Sequence, residues 1–359
     1  MRVLITGGAG FIGASAACGL ATAHPDWEII AFDNLHRRGS ELNVPRLREA
    51  GVRFTHGDVR APDDLAAIAA IAEIGEIDAL VECSAEPSVL AGVDGAPGYV
   101  VQSNLFGAYH CLELARQHRA QMVFLSTSRV YPVAPLQQLA LTETETRFEL
   151  GQSQSVPGVS PAGVAEDFPL AGARTIYGAT KLAAELLIEE YRASFGIRAV
   201  VDRCGVIAGP WQMGKVDQGV FTYWMLAHRL SRPLRYIGFG GTGKQVRDLL
   251  HVADLVELID EQLIDPDRWD GITVNVGGGL DGSLSLLETT ALCAEITGSK
   301  IAVYPSSETR PGDLPWYVSD CSRLFELTDW RPRHRPREIL AEIDAWITTE
   351  IDSVRRALG

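Results

Sequence analysis

The chain has 359 residues, 46% of them hydrophobic and 22% charged, and 32 Lys+Arg against 46 Asp+Glu leave a formal net charge of −14. That mix excludes a disordered, collagenous or coiled-coil chain and suits a full-sized core spread over about two domains. The acidic balance argues against bulk binding to nucleic acid or an anionic membrane, which need a positive field, but not against a small anion held by a few arginines.

In chain order, Arg2 to Thr6 reads as an apolar strand, Phe11 to Ala23 as a helix and Glu28 to Phe32 as a second strand. Val52 to Thr55 reads as a third strand, followed by an Ala- and Ile-rich helix around Leu65 to Ala72, and Ala79 to Glu82 and Met122 to Leu125 continue the series. Continuous apolar strands between helices predict a parallel sheet covered on both faces, a doubly wound α/β domain. Between Val133 and Arg174 the periodicity disappears, and a long loop, functional or mobile, is expected. A helix over Lys181 to Phe195, closed by Gly196, and a strand over Arg198 to Asp202 follow. Beyond Gly205 the alternation weakens. Ser285-x-x-Glu288 predicts a capping box opening a helix to about Ile296 near Gly298, and another helix is expected from about Arg337 to Arg355. The expected division is a nucleotide-binding domain over 1–203 plus about 246–280, with a smaller C-terminal substrate-binding lobe over 204–245 and 281–359. No stretch approaches the roughly 20 apolar residues of a membrane span. The N-terminus, glycine-rich from Gly7, carries no cleavage site, so a cytoplasmic location is expected.

Gly7, Gly10 and Gly13 have the spacing GxxGxxG directly between a strand and a helix. Glycines there permit a tight turn, close backbone approach to a pyrophosphate and close helix–strand packing. Phe11 and Ile12 lie within the motif, and Asp33, with Asn34 beside it, follows Gly13 by 20 residues at the end of the second strand. A carboxylate there hydrogen-bonds the adenosine ribose and repels a 2′-phosphate, which favours NAD over NADP, although Arg37 and Arg38 are close enough to receive a phosphate. Asp58, followed by Val59, either meets the adenine amine or caps the helix that follows. Tyr177 and Lys181, four apart, share one helix face, and an ammonium beside a phenol makes the phenol a general base near neutral pH. Ser126-Thr127-Ser128 after a strand can place a hydroxyl at the same reacting oxygen. The six cysteines include no CxxC pair and the eight histidines no HExxH. His110 and His118 lack a third ligand nearby, so buried thiols and no metal site are expected.

In these motifs the chain resembles the extended short-chain dehydrogenase/reductases of the nucleotide-sugar epimerase/dehydratase group. The resemblance runs nearly end to end, through TGGAGFIG, FDNL, STSRVY, YGATK, VRDLLHVAD and RPGD. Within that group it is nearest the CDP-tyvelose (CDP-paratose) 2-epimerases, through TETETRF, VDQG (Val216 to Gly219), GKQVRDLLH and SLSLLE. The resemblance implies a Rossmann fold, tightly held NAD, a nucleotide-sugar substrate and a homodimer or homotetramer. It makes Thr127 a hydrogen-bonding partner of the reacting hydroxyl, Tyr177 its base, and Lys181 the residue holding Tyr177 and the nicotinamide ribose. Arg247 and Arg310 match arginines that grip the diphosphate, and Gln218 falls in a substrate-binding segment. The group's dehydratases place an acid pair after the catalytic Thr, where this chain has Ser128-Arg129, so epimerisation at C2 of a CDP-hexose through a transient keto-sugar is implied. The alternatives are a C4 epimerase, a nucleotide-sugar dehydrogenase, or a non-catalytic NAD sensor. Two segments depart from the tyvelose pattern. Glu82-Cys83-Ser84-Ala85-Glu86 stands where the group usually has His-Leu-Ala-Gly, and Cys204 to Gly209 lacks the usual His and Ser. Both departures are expected to alter the sugar pocket while leaving the redox machinery intact.

Overall fold

A computed structural model describes residues 1–70, 75–93, 95–214 and 218–358. The predicted helix residues Ile71 and Ala72 and the motif residues Val216 and Asp217 lie outside the described residues. The chain forms two compact units, one made of Met1–Thr127, Ile176–Arg203 and Leu255–Thr273, the other of Ser128–Thr175, Cys204–Asp254 and Val274–Gly359.

The first unit carries strands β1 (Arg2–Thr6), β2 (Glu28–Asp33), β3 (Arg53–His56), β4 (Ala79–Glu82) and β5 (Gln121–Thr127), with helix α1 (Phe11–Ala23) after β1. They join the strands Ala199–Cys204 and Thr273–Val276 in a seven-stranded sheet, ordered Thr273–Val276, Ala199–Cys204, β5, β4, β1, β2, β3. The β1–β2, β1–β4, β2–β3 and β4–β5 pairs are parallel. This is the expected doubly wound arrangement. The strand order reverses beside β1, the topological switch point at which ligands bind in such sheets. Register opposes Thr6 to both Phe32 and Glu82, and Glu82 to Phe124. The C-terminal ends of β1, β2, β4 and β5 therefore share one edge, and that edge gathers the glycine turn, Asp33, Glu82 and Thr127.

Strand residues Leu4, Ile30, Leu80, Met122 and Phe124 are each at most 1% exposed and pack with Ala108, Cys111, Leu112 and Ile188 of the covering helices. At about 1.5–3 kcal/mol for each large side chain withdrawn from water, this face dominates the unit's stability. The helix predicted from Leu65 spans Pro62–Ala70 within the described residues. The helix predicted from Lys181 starts at Ile176, because Gly178 is tolerated in its first turn, so Tyr177 and Lys181 are both helical and one turn apart.

In the second unit the segment from Val133 to Arg174 is not the structureless loop its composition predicts. It holds a helix, Val133–Gln137, and two antiparallel hairpins, Leu141–Glu143 with Phe148–Leu150 and Val159–Ser160 with Gly163–Val164. Its hairpins are anchored by long-range bonds. Arg147 is paired with Glu288 and donates to Ser283, and Val164 bridges Ser319. The predicted capping box is present, with Ser285 and Glu288 bonding reciprocally at the start of Leu286–Thr297 and Gly298 in the left-handed conformation closing it. The expected C-terminal helix is two helices, Pro336–Thr349 and Ile351–Leu358, broken at Glu350, where φ −103° and ψ 20° leave the helical region. Among the described residues no helix is long and apolar enough to cross a membrane.

Candidate active site

The glycine turn is held by steric necessity. Gly7 has φ +62°, and a Cβ on it would lie 2.8 Å from the Cys83 carbonyl oxygen. A Cβ on Gly13 would lie 2.2 Å from the Gly7 carbonyl oxygen, and one on Gly10 3.0 Å from the same atom. The N-terminus of α1 carries no side-chain cap and no acidic residue in its first turn, so its free amides remain available to an anion. Phe11 and Ile12 are half-buried in that first turn. This cradle, with a carboxylate alongside, fits the pyrophosphate and ribose of a dinucleotide.

Asp33 accepts from the Leu35 amide at 2.7 Å and from the Ala9 amide at 3.1 Å, so its carboxylate ties the end of β2 to the glycine turn. Burial raises its pKa, with the Leu35 and Ala9 amides opposing. Asn34 donates to Asp58 at 2.9 Å, which brings these two predicted residues together. Asp58 does not cap the helix that follows. Its carboxylate takes the Arg60 backbone amide and guanidinium, which hold it well below the usual carboxylate range. Val59 is buried, and its carbonyl accepts from His110 Nδ1 at 2.7 Å, so His110 serves the backbone. His118 does likewise, accepting from the Ile77 amide at 3.3 Å.

Alternation along β5 separates the hydroxyls of Ser126 and Thr127. Ser126 is bonded to Glu185, which is paired with Arg203 at 2.8 Å. Thr127 is buried at the strand's end. Tyr177 is buried in the first turn of its helix, and Lys181, 2% exposed, reaches the sheet one turn on. The Lys181 ammonium lies 3.1 Å from Glu82 Oε2 and 4.3 Å from the centre of the Phe124 ring. Burial works against the Lys181 charge, and the Glu82 carboxylate and Tyr177 phenol more than offset it. Burial pushes the Glu82 carboxyl up, with Lys181 opposing. The departing residue Glu82 thus contacts Lys181 directly. No motif points to this contact, since 99 residues separate its partners. Asn104 carries no sequence signal either. In a π-helical stretch, Gln102–Phe106, it clamps the segment after β4 through both the Glu86 amide, at 2.7 Å, and the Glu86 carbonyl, at 3.1 Å.

In the second unit, Arg247 lies in the strand Val246–His251 and donates to Asp313 Oδ1 at 2.9 Å and to the Leu314 carbonyl at 2.8 Å. The Asp313 amide donates to the Arg310 carbonyl, which closes the RPGD turn. Burial lowers the Arg247 pKa. Gln218 is half-buried just before Gly219, which precedes the helix Val220–Arg229. Arg129, after Thr127-Ser128, donates to the Gly312 carbonyl at 3.0 Å. His251, His334 and Glu342 form a cluster of potential metal donors. His251 Nδ1 accepts from the Ala253 amide at 3.1 Å, and its Nε2 lies 3.3 Å from Glu342 Oε2. All six cysteines are free.

Residues 3–277 match the model of the NAD dependent epimerase/dehydratase family. The chain is 28% identical to CDP-paratose 2-epimerase of Salmonella typhi over 97% of this chain and all of that protein. It is 26% identical to dTDP-glucose 4,6-dehydratase of Mycobacterium tuberculosis over 93% of this chain and 89% of that one. Among solved structures, UDP-glucose 4-epimerase of Thermus thermophilus in complex with NAD is similar with a TM-score of 0.76 at 26% identity, covering 97% of this chain and 99% of that one. The glycine cradle, the carboxylate at the end of β2 and the Tyr177–Lys181 pair are thus carried by a chain that belongs to the NAD-dependent epimerase/dehydratase family of enzymes.

Proposed function

We propose that the protein is a nucleotide-sugar epimerase that inverts C2 of a CDP-hexose of the CDP-paratose type. Bound NAD supplies the two-electron sink and source at the reacting carbon. In this reading Gly7, Gly10, Phe11, Ile12 and Gly13 cradle its pyrophosphate, Asp33 and Asn34 face the adenosine ribose, and Asp58 and Val59 border the adenine. Tyr177 takes the proton of the sugar hydroxyl and later returns it. Thr127 hydrogen-bonds the same oxygen, and Lys181 stabilises the phenolate and positions the nicotinamide ribose. Gln218, Arg247 and Arg310 take the nucleotide diphosphate, for which bidentate guanidinium groups are suited. A nucleotide-binding domain over 1–203 plus about 246–280, a substrate lobe over 204–245 and 281–359, and a homo-oligomeric working unit complete the proposal.

The observation that carries epimerisation over dehydration lies after Thr127. Ser128 and Arg129 stand there, and Arg129 is a cation bonded to the Gly312 carbonyl, so neither can protonate a leaving hydroxyl. The similarity to CDP-paratose 2-epimerase over the whole of that protein supports the choice of carbon and nucleotide. The test is turnover of CDP-paratose and other CDP-, UDP- and dTDP-sugars in deuterated water, followed by NMR. Inversion with no solvent deuterium at the inverted carbon, no net NADH and a loss of about 100-fold or more in Tyr177→Phe supports the reading. Loss of water from the sugar, or net NADH, overturns it.

A further inference from the structure

Glu82 is the last residue of β4, 1% exposed, and its Oε2 lies 3.1 Å from Lys181 Nζ. Burying a carboxylate is costly unless a partner compensates it, and removal of either partner leaves an unpaired buried charge. Lys181 could otherwise place its ammonium in many ways, since its stem is a flexible chain of methylenes. The structure removes that freedom from two sides, with the Phe124 ring under the ammonium at 4.3 Å and the Glu82 carboxylate beside it. Both come from neighbouring strands in register, where Glu82 opposes Phe124. Glu82 Oε1 has no hydrogen-bond partner among the described residues, so the buried carboxylate keeps unused accepting capacity at this point.

We propose that Glu82 is a positioning residue for Lys181, fixing where its ammonium sits and how much of its positive charge reaches the Tyr177 phenol. The inference rests on the reading of Tyr177 as the base. An ammonium alone beside a phenol favours the phenolate strongly, whereas an ammonium already paired with a carboxylate does so less. The titratable groups facing the pair are Tyr177 on the same helix, Cys83 after β4 and Cys111 from the helix Gly107–His118. Burial raises both thiols, so neither contributes charge near neutral pH, and the remaining contact, Phe124, is uncharged. Tyr177 therefore feels a balance between Lys181 and Glu82.

The test uses full-length Glu82→Gln and Glu82→Asp proteins with two readouts. The first is the pH profile of kcat and KM for the sugar substrate. The second needs no turnover, being the phenolate absorbance titration of Tyr177, isolated by subtracting the matching Tyr177→Phe protein. Glu82→Gln is expected to lower kcat about tenfold or more, to leave KM within about threefold, and to move both the acidic limb and the Tyr177 titration down by about one pH unit. Glu82→Asp keeps the charge but retracts the carboxylate, so it is expected to lower kcat with the titration unmoved. A Tyr177 titration unchanged in Glu82→Gln overturns the proposal. If Glu82→Gln does not fold, Glu82→Asp with wild-type kcat overturns it equally. If no sugar is turned over but the titration shifts, the epimerase reading fails and the positioning role stands.

Discussion

At the scale of single residues, Lys181 and Glu185 are buried charges with charged partners, and Asp202 shows the cost when the partner is neutral. It lies in the strand Ala199–Cys204, 0% exposed, and Gln262 donates to its Oδ1 at 2.9 Å. Its Oδ2 has no partner among the described residues. Burial pushes its carboxyl up to about 7. With the unfolded value near about 3.9, the native state binds the extra proton between the two values, so stability is greatest at the acid end and falls as pH rises through about 7. The loss levels off above that, at on the order of 4 kcal/mol. Asp202→Asn keeps an oxygen to accept from Gln262 and removes the ionisation. It is expected to be clearly more stable than wild type in urea at about pH 8 and nearly equal to it at about pH 4. Parallel curves for the two proteins across that range would show that Asp202 is not the buried acid. No sequence motif marks Asp202 or the contact of Glu82 with Lys181, because what distinguishes them is the absence or presence of one distant charge. Tyr177, Lys181 and Thr127 stand out as candidates because the motifs that nominate them are close in sequence or at a strand end.

At the scale of elements, β1 and α1 have the bounds their pattern predicts because an apolar run and a glycine turn are local signals. The hairpins between Val133 and Arg174 have strands of only two or three residues, too short to show a period of two, and are anchored by contacts such as Arg147 with Glu288, 141 residues apart. Local pattern cannot reveal such an anchor. The junction of β1 and α1 is the element whose failure is easiest to forecast. In Gly13→Ala the new methyl would start 2.2 Å from the Gly7 carbonyl oxygen, a backbone atom that cannot rotate aside. Overpacking of this kind costs about 1–3 kcal/mol and displaces the turn that would cradle a pyrophosphate. Gly13→Ala is expected to melt at a lower temperature and to retain at least about tenfold less NAD, measured by denaturing the purified protein and quantifying released nucleotide. Gly98→Ala, where a Cβ meets nothing within 4 Å, should behave as wild type in both assays. Equal NAD content in the two variants would sink the assignment of the turn.

At the scale of the whole molecule, a net charge of −14 opposes self-association, so a homo-oligomer needs a compensating apolar surface. The helices Gly107–His118 and Ile176–Phe195 pack together in the first unit and leave such residues in water, Tyr109 at 39%, Leu186 at 60% and Phe195 at 55% exposure. Phe106, at 43%, immediately precedes the first of them. Single exposed apolar residues are ordinary, but three on one helix pair with a fourth just before it are candidates for an interface. Leu186 is the sharpest probe because its side chain packs little within its own unit, so a charge there spares the fold. Leu186→Glu is expected to convert an oligomer to a monomer by light scattering while leaving the melting temperature of the monomer within a few degrees, the shift that about 1 kcal/mol produces. Because the opposing force is like-charge repulsion, raising salt towards about 0.5 M should strengthen association of the wild type and leave Leu186→Glu monomeric. A wild type that is monomeric at micromolar concentration and high salt would refute the interface, and an oligomer unaffected by Leu186→Glu would move it to another face.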